Sequence, residues 1–279
     1  LTRFQMDSGF SIVGEIPDWD PAALDFVVPR EAYNWSAGYV FLTMAVCQEA
    51  LLRAGLPIDG DTGPRTACLI GSALNGTDAF RVAMDNYVNR GPLKVSPYLL
   101  PNLCANVPAG KAGMLKGFTG PIFSPQGACA SGNHAIGIGA RMVRDGDCDF
   151  ALVGGVDTAL IPEIIQGFAN MTATIYVGPR DRAYADPTQA SRPFSHDRKG
   201  IVLSEGAGVL VLAAEEMMTS CGLTPQAEVM GIGYDTVGLA LNGSIAVLLL
   251  FLLLLFMLLL LFLLFLLFLL LLLLLLLLF

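Results

Sequence analysis

The sequence predicts an α/β fold in which helices are layered around a sheet. Three observations carry that expectation. Short apolar runs of strand length alternate with segments of helical periodicity. Gly and Pro mark the boundaries between them. One helical segment, 133–145, holds Ala135, Gly137, Gly139 and Ala140. An exposed helix loses about 1 kcal/mol for each interior Gly, so this one is expected to be wholly buried with neighbours close to its backbone.

Each element follows from a local pattern. Residues 36–54 repeat apolar positions at helical spacing and Gly55 supplies a stop. Thr66-Ala-Cys-Leu-Ile-Gly71 is a short apolar run followed by small residues, which reads as a buried strand. Residues 76–89 have helical character, and Arg90-Gly91-Pro92 breaks it. A further helix is expected within 102–116, with Pro108 in its first turn. Gly120-Pro121 opens the run from Ile122 to Gly127, which leads into Ala128-Cys129-Ala130-Ser131-Gly132. Phe150-Ala-Leu-Val-Gly-Gly, Val209 to Ala213 and Ala227 to Tyr234 read as three more strands.

The 279 residues suffice for one large domain or two small ones. Their hydrophobic fraction of 54% is unevenly spread, because every residue from Ile245 to Phe279 is apolar. The chain is therefore expected to divide into a globular part, 1–244, and a Leu/Phe tail, 245–279. The net charge of −8 comes with no basic stripe, which argues against a general nucleic-acid binder. A local basic patch for an acidic partner protein remains compatible with that total. Cys47, Cys68, Cys104, Cys129, Cys148 and Cys221 contain no C-x-x-C spacing and only two histidines stand beside them, so no metal site is expected. The start, Leu-Thr-Arg-Phe-Gln, has no signal-peptide pattern. It reads as a cut edge, and the expected location is the reducing cytoplasm with thiols free.

Cys129 is the candidate nucleophile. It lies between small residues, after an apolar run and before the glycine-rich helix. Small flanks let the backbone turn sharply and let a substrate approach. The positive end of the helix favours a thiolate there, and a backbone N–H at the turn can hold an oxyanion. A buried structural cysteine is the competing reading of the same residue. The other five cysteines lack this setting.

Four segments in order carry a resemblance. Gly120-Pro121 stands nine residues before Cys129, and G-A-C-A-S-G-N-H-A-I-G follows. Then come Asp147-Cys-Asp-Phe-Ala-Leu-Val-Gly-Gly-Val-Asp157, Ala190-Ser-Arg-Pro-Phe-Ser-His-Asp-Arg-Lys-Gly200 and Ser204-Glu-Gly-Ala-Gly208. Over roughly residues 8–238 this set resembles the β-ketoacyl-acyl carrier protein synthases, the elongating ketosynthases. The resemblance implies a thiolase-like layered fold and transfer of an acyl chain from a carrier thioester to Cys129. It further implies decarboxylative condensation with a malonyl thioester, in fatty acid or polyketide synthesis. The implied partners are acyl carrier protein and a second subunit, in a homodimer or a ketosynthase-type heterodimer. No cofactor is implied, since the substrates arrive as activated thioesters. Phe168, with the apolar residues around Ile165, is implied as acyl-pocket lining, for which core packing is the alternative. Lys94 is implied as a carrier contact, for which a plain surface lysine is the alternative. Glu205 is expected to be buried and structural.

Departures from the family pattern matter equally. The family's two further catalytic histidines and its lysine lie beyond the G-E-G-A-G segment, whereas this sequence has only His134 and His196 and no Lys, Arg or His after Lys199. His134 is expected inside the helix after Cys129 without a catalytic role, and His196 in a solvated loop. Thr172 stands where relatives often carry an Arg facing the carrier. The N-terminal half of the fold is thus expected to be largely present and the C-terminal half missing, so that the chain by itself would not condense. The tail is long enough to span a bilayer, but it lacks basic flanks and an aromatic belt, which favours a frame-shifted or artefactual end over an anchor. Two other classes stay open: a non-catalytic ketosynthase-like partner subunit, which the retained Cys129 argues against, and a membrane-anchored binding protein.

Overall fold

In a computed structural model of the chain, the described residues are 2–6, 9–17, 37–56, 62–171, 180 and 182–234. Within them the strands in chain order are β1 (Thr2–Met6), β2 (Gly9–Gly14), β3 (Thr66–Gly71), β4 (Ile122–Phe123), β5 (Phe150–Asp157), β6 (Leu203–Ser204) and β7 (Gly206–Ala213). The helices are α1 (Gly38–Ala54), α2 (Thr77–Arg90), α3 (Leu99–Leu103), α4 (Val107–Lys116), α5 (Ser131–Arg144), α6 (Pro162–Asn170), α7 (Arg182–Ala185) and α8 (Glu215–Ser220). These elements fall in one compact unit, Leu1–Val229. Of the second unit, Met230–Phe279, residues 230–234 are described and carry neither helix nor strand. The Leu/Phe tail and Thr172 lie outside the described residues.

The central sheet has the order β4-β3-β5-β7. β4 and β5 run parallel to β3, and β7 runs antiparallel to β5. All six residues of β3 are buried, as a strand covered on both faces requires. Side chains alternate between the faces. Cys68, Ile70, Phe150, Leu152 and Val156 join one core with α1 and with Ala109 and Ala112 of α4. Ala67, Leu69, Ala151 and Val153 join a second core with Ala135 of α5. Three layers result, with α1 and α4 on one side of the sheet and α5 on the other. Tyr39, Val40, Phe41, Leu42, Met44 and Leu51 of α1 are all buried, and each such side chain stabilises the fold by about 1.5–3 kcal/mol. The helix stops at Gly55, whose φ of 65° places it in the left-handed region and lets Leu56 N donate to the Leu51 carbonyl (3.3 Å).

A second sheet, β1-β2-β6, joins distant parts of the chain. β1 and β2 are antiparallel neighbours, and Val13 and Gly14 of β2 pair in parallel with Leu203 and Ser204 of β6.

Several boundaries differ from the sequence reading. The expected strand Ala227 to Tyr234 does not form, and the run Ile122 to Gly127 pairs only at Ile122–Phe123 before Pro125 ends it. The helix expected within 102–116 is Val107–Lys116, with Pro108 in its first turn and the separate short α3 before it. Helix α5 is buried along one face only: Ser131, Ala135, Gly137 and Gly139 are buried, while Asn133, Arg141 and Arg144 are exposed. Among the described residues, no helix is long and apolar enough to cross a membrane.

Candidate active site

Parallel β3 and β5 end on the same side of the sheet, the side on which open α/β sheets bind ligands. Helix α5 starts there. Its N-terminus meets the strand ends at two glycines, Gly71 and Gly155. A Cβ on Gly71 would collide with the backbone of Ser131, and one on Gly155 would lie 3.1 Å from the Gly132 Cα. Cys129 occupies the middle of a single 3-10 turn, Ala128–Ala130, immediately before α5. Ala128 has a φ of 50°, a left-handed conformation that costs a non-glycine residue about 1 kcal/mol or more.

Three hydrogen bonds hold that strained turn. Ala130 N donates to the Gly127 carbonyl (3.0 Å), Gly127 N donates to Ser131 Oγ (2.9 Å), and Ser131 Oγ donates to the Ala128 carbonyl (2.6 Å). None of them uses the Cys129 N–H. Of the six free cysteines, only Cys104 and Cys129 are exposed. Cys104 Sγ donates to the Leu100 carbonyl (3.3 Å) and does not line the pocket of about 310 Å³ that Cys129 faces.

Ser72, Asp157, Ser131, Gly132 and Glu205 line the same pocket. Asp157, the last residue of β5, accepts from three groups of the loop that leaves β3. Ser72 Oγ (2.9 Å) and Leu74 N (2.9 Å) donate to Oδ1, and Ala73 N (3.0 Å) donates to Oδ2. Ser72 Oγ in turn accepts from Asn75 N (3.0 Å). Glu205 ties the pocket rim to β2. Its own N–H donates to the Gly14 carbonyl (2.9 Å), and its Oε2 accepts from Ile16 N (3.3 Å). Glu205 is half-buried rather than buried, and it is a pocket residue as well as a tie.

The other residues singled out in the sequence lie elsewhere. Phe168 is half-buried on α6 and Ile165 is in the core; neither is among the residues that line the pocket. Lys94 is exposed on the 3-10 turn Pro92–Lys94, beside Leu93, which is 96% exposed. His134 is half-buried in α5 with its ring against Gly127, and His196 is exposed. Ser72 is a pocket residue that the sequence alone did not single out, and Asp157, there the last residue of a family segment, was given no site role. Among the described residues no group of three His, Cys, Asp or Glu side chains is placed to hold a metal ion.

The family model described as "Beta-ketoacyl synthase, N-terminal domain" matches residues 12–217. The chain belongs to the β-ketoacyl synthase family. The match contains the turn at Cys129, the clamp at Asp157 and the Glu205 tie. Among curated β-ketoacyl synthases, the chain is 35% identical over 185 residues to the 3-oxoacyl-[acyl-carrier-protein] synthase 2 of Vibrio cholerae, covering 66% of this chain and 43% of that protein. It is 32% identical over 234 residues to the enzyme of the same name from Coxiella burnetii, covering 84% and 54%. The chain thus spans about half the length of the curated relatives it matches. Among solved structures, the ishigamide ketosynthase/chain length factor aligns with a TM-score of 0.66 at 27% identity, covering 83% of this chain and 54% of that one. A β-ketoacyl synthase from Burkholderia phymatum aligns at 0.64 with 24% identity, covering 76% and 50%. A type II polyketide ketosynthase in complex with its acyl carrier protein aligns at 0.60 with 20% identity, covering 77% and 49%. The last two support the fold, which is that of the thiolase-like ketosynthases.

Proposed function

We propose that Cys129 is the acyl acceptor of a 3-oxoacyl-[acyl-carrier-protein] synthase of fatty acid or polyketide synthesis. The observation that carries this reading is the placement of an exposed cysteine on a strained turn, before a long helix and inside a pocket at the ends of parallel strands. The sulfur attacks the carbonyl carbon of an acyl-carrier thioester, and the Cys129 N–H donates to the oxygen that gains charge. The tetrahedral adduct collapses with loss of the carrier thiol, which takes up the proton released by Cys129. The products are an acyl-cysteine and free carrier. In the second half-reaction a malonyl thioester loses CO₂, and its carbanion attacks the acyl-cysteine to give a 3-oxoacyl thioester and the Cys129 thiolate, which a proton from water returns to the thiol.

The second half-reaction needs hydrogen-bond donors at the malonyl carbonyl. His134 and His196, the two histidines of the sequence, do not line the pocket. We therefore assign acyl transfer, without condensation, to these 279 residues. Lys94 is the proposed carrier contact and Phe168 a proposed acyl contact, both on the ground of resemblance. A second subunit, either a like copy or a ketosynthase-type partner chain, is proposed on the ground of resemblance. The proposed setting is the cytoplasm.

The test incubates the full chain with octanoyl carrier thioester and reads the protein by intact and peptide mass. An octanoyl adduct on Cys129 that is lost in Cys129→Ala, with no 3-oxoacyl product when malonyl carrier is added, is the expected result. An adduct that persists in Cys129→Ala sinks the nucleophile assignment. Carrier binding with no adduct on the wild type moves the chain to the class of non-catalytic partner subunits.

A further inference from the structure

The reading of Cys129 leaves unexplained a carboxyl group in the same pocket that makes three hydrogen bonds to a single loop. We infer that Asp157 is a positioning residue for acyl transfer, and that it sets the wall against which the acyl group lies while Cys129 attacks. The inference rests on the acyl-acceptor reading and deepens it.

Asp157 ends β5 and the loop begins one residue after β3 ends, so the clamp joins the two strands whose tips lie under α5. The paired positions Gly71 and Gly155 lie under Ser131 and Gly132, with no side chain between the strands and the helix. The Cys129 turn is therefore fixed to the floor of the pocket by backbone packing. In the loop Ser72–Asn75, Ser72 is buried and Ala73 and Leu74 are half-buried, and Gly76 beyond it packs on the Asn102 carbonyl. Between those points the Asp157 carboxyl oxygens collect the Ala73 and Leu74 N–H groups and the Ser72 hydroxyl. Successive N–H groups converging on one anion form a compact nest, and its shape depends on the anion. Ser72 and Ala73 line the pocket beside Cys129. Asp157 can thus alter how an acyl group sits without touching the sulfur.

That separation makes the role testable. The loss of one hydrogen bond to a charged group corresponds to about tenfold or more in a rate constant that depends on it. In the full chain, Asp157→Asn is expected to slow octanoyl transfer to Cys129 at least about tenfold. Alkylation of Cys129 by iodoacetamide, a small reagent that needs no wall, should stay within about twofold, as read by peptide mass. Ser72→Ala removes one of the three donors without disturbing the carboxyl group, and should shift octanoyl transfer in the same direction by a smaller factor. Asp157→Glu keeps the charge on a longer stem and should favour a different acyl length from the wild type. Parallel slowing of alkylation and acyl transfer in both Asp157→Asn and Ser72→Ala would show a merely structural role and overturn the inference. Unchanged acyl transfer in both would overturn it as well. If Asp157→Asn does not fold, the Ser72→Ala pair of rates decides alone. Failure of the underlying reading shows separately, as an octanoyl adduct that survives Cys129→Ala.

Discussion

At the residue scale the site depends on where side chains are absent. Gly71 is the tightest case, because any Cβ there meets the backbone of Ser131, which cannot rotate away. Gly71→Ala is expected to destabilise the protein by about 1–3 kcal/mol, the usual cost of forcing an extra carbon into a packed interior. It should also displace the Cys129 turn and change its alkylation rate. Gly167 is the control. It lies exposed in α6 with nothing within 4 Å of a built Cβ, so Gly167→Ala should raise stability by about 0.5–1 kcal/mol through helix propensity alone. Urea unfolding of the two variants checks both signs. Equal effects would show that the close approach of α5 to the strand tips is not tight in solution.

At the scale of elements, the N-terminus of α1 is held by a residue of α2. Gly38 N donates to Asp78 Oδ2 (3.3 Å), and Ala79 N donates to Oδ1 (2.8 Å). Burial nevertheless dominates these bonds and pushes the Asp78 carboxyl above the usual range. As pH rises, the unfolded chain releases this proton first, so the folded state holds more protons across the window. Stability from Asp78 is therefore complete below the ordinary aspartate value and falls as pH rises through the raised one. The stability of the wild type relative to Asp78→Asn should decline as pH rises above about 4, as urea midpoints would record. A difference that grows with pH would reverse the sign and show that the helix terminus outweighs burial.

The same scale shows what the sequence discloses. Helix α1 was legible because its apolar spacing and its terminal Gly55 agree, and β3 and β5 because strands covered on both faces read as unbroken apolar runs. Ala227 to Tyr234 is largely apolar, although Glu228 interrupts it, but it finds no paired neighbour among the described residues, and apolarity alone does not make a strand. Cys129 could be found because its flanks are local. The Ser72–Asp157 clamp joins residues 85 apart in the chain, and no local pattern records that they meet. The full burial expected of α5 failed because its glycines serve one face only.

At the scale of the molecule, apolar side chains face solvent in number. Leu93 is 96% exposed, Met114 75% and Leu100 72%, and Phe194 is 99% exposed on a loop braced by the Arg192–Asp197 pair. Such surface weakens a marginally stable domain and promotes association. All charged residues and all four family segments fall within 1–244. Deleting 245–279 is therefore expected to raise solubility while leaving thermal unfolding broad. Joining residues 1–244 to the C-terminal half of a curated relative should sharpen the transition and bring condensing activity with it. Calorimetry and product assays on the two proteins side by side provide the check. A sharp, reversible transition for residues 1–244 alone would show that they need no further surface to fold.

The pairing of β2 with β6 bears on how the chain is born. Ile16 and Glu205, joined by a hydrogen bond, are 189 residues apart. At about 5–20 residues per second a ribosome needs about 10–40 s to travel from one to the other. Through that interval the β1–β2 hairpin has emerged, but the parallel edge of β2 has no mate. The emerging protein must carry an open strand edge past every intermediate length, the period in which chaperones act and neighbouring nascent chains pair wrongly.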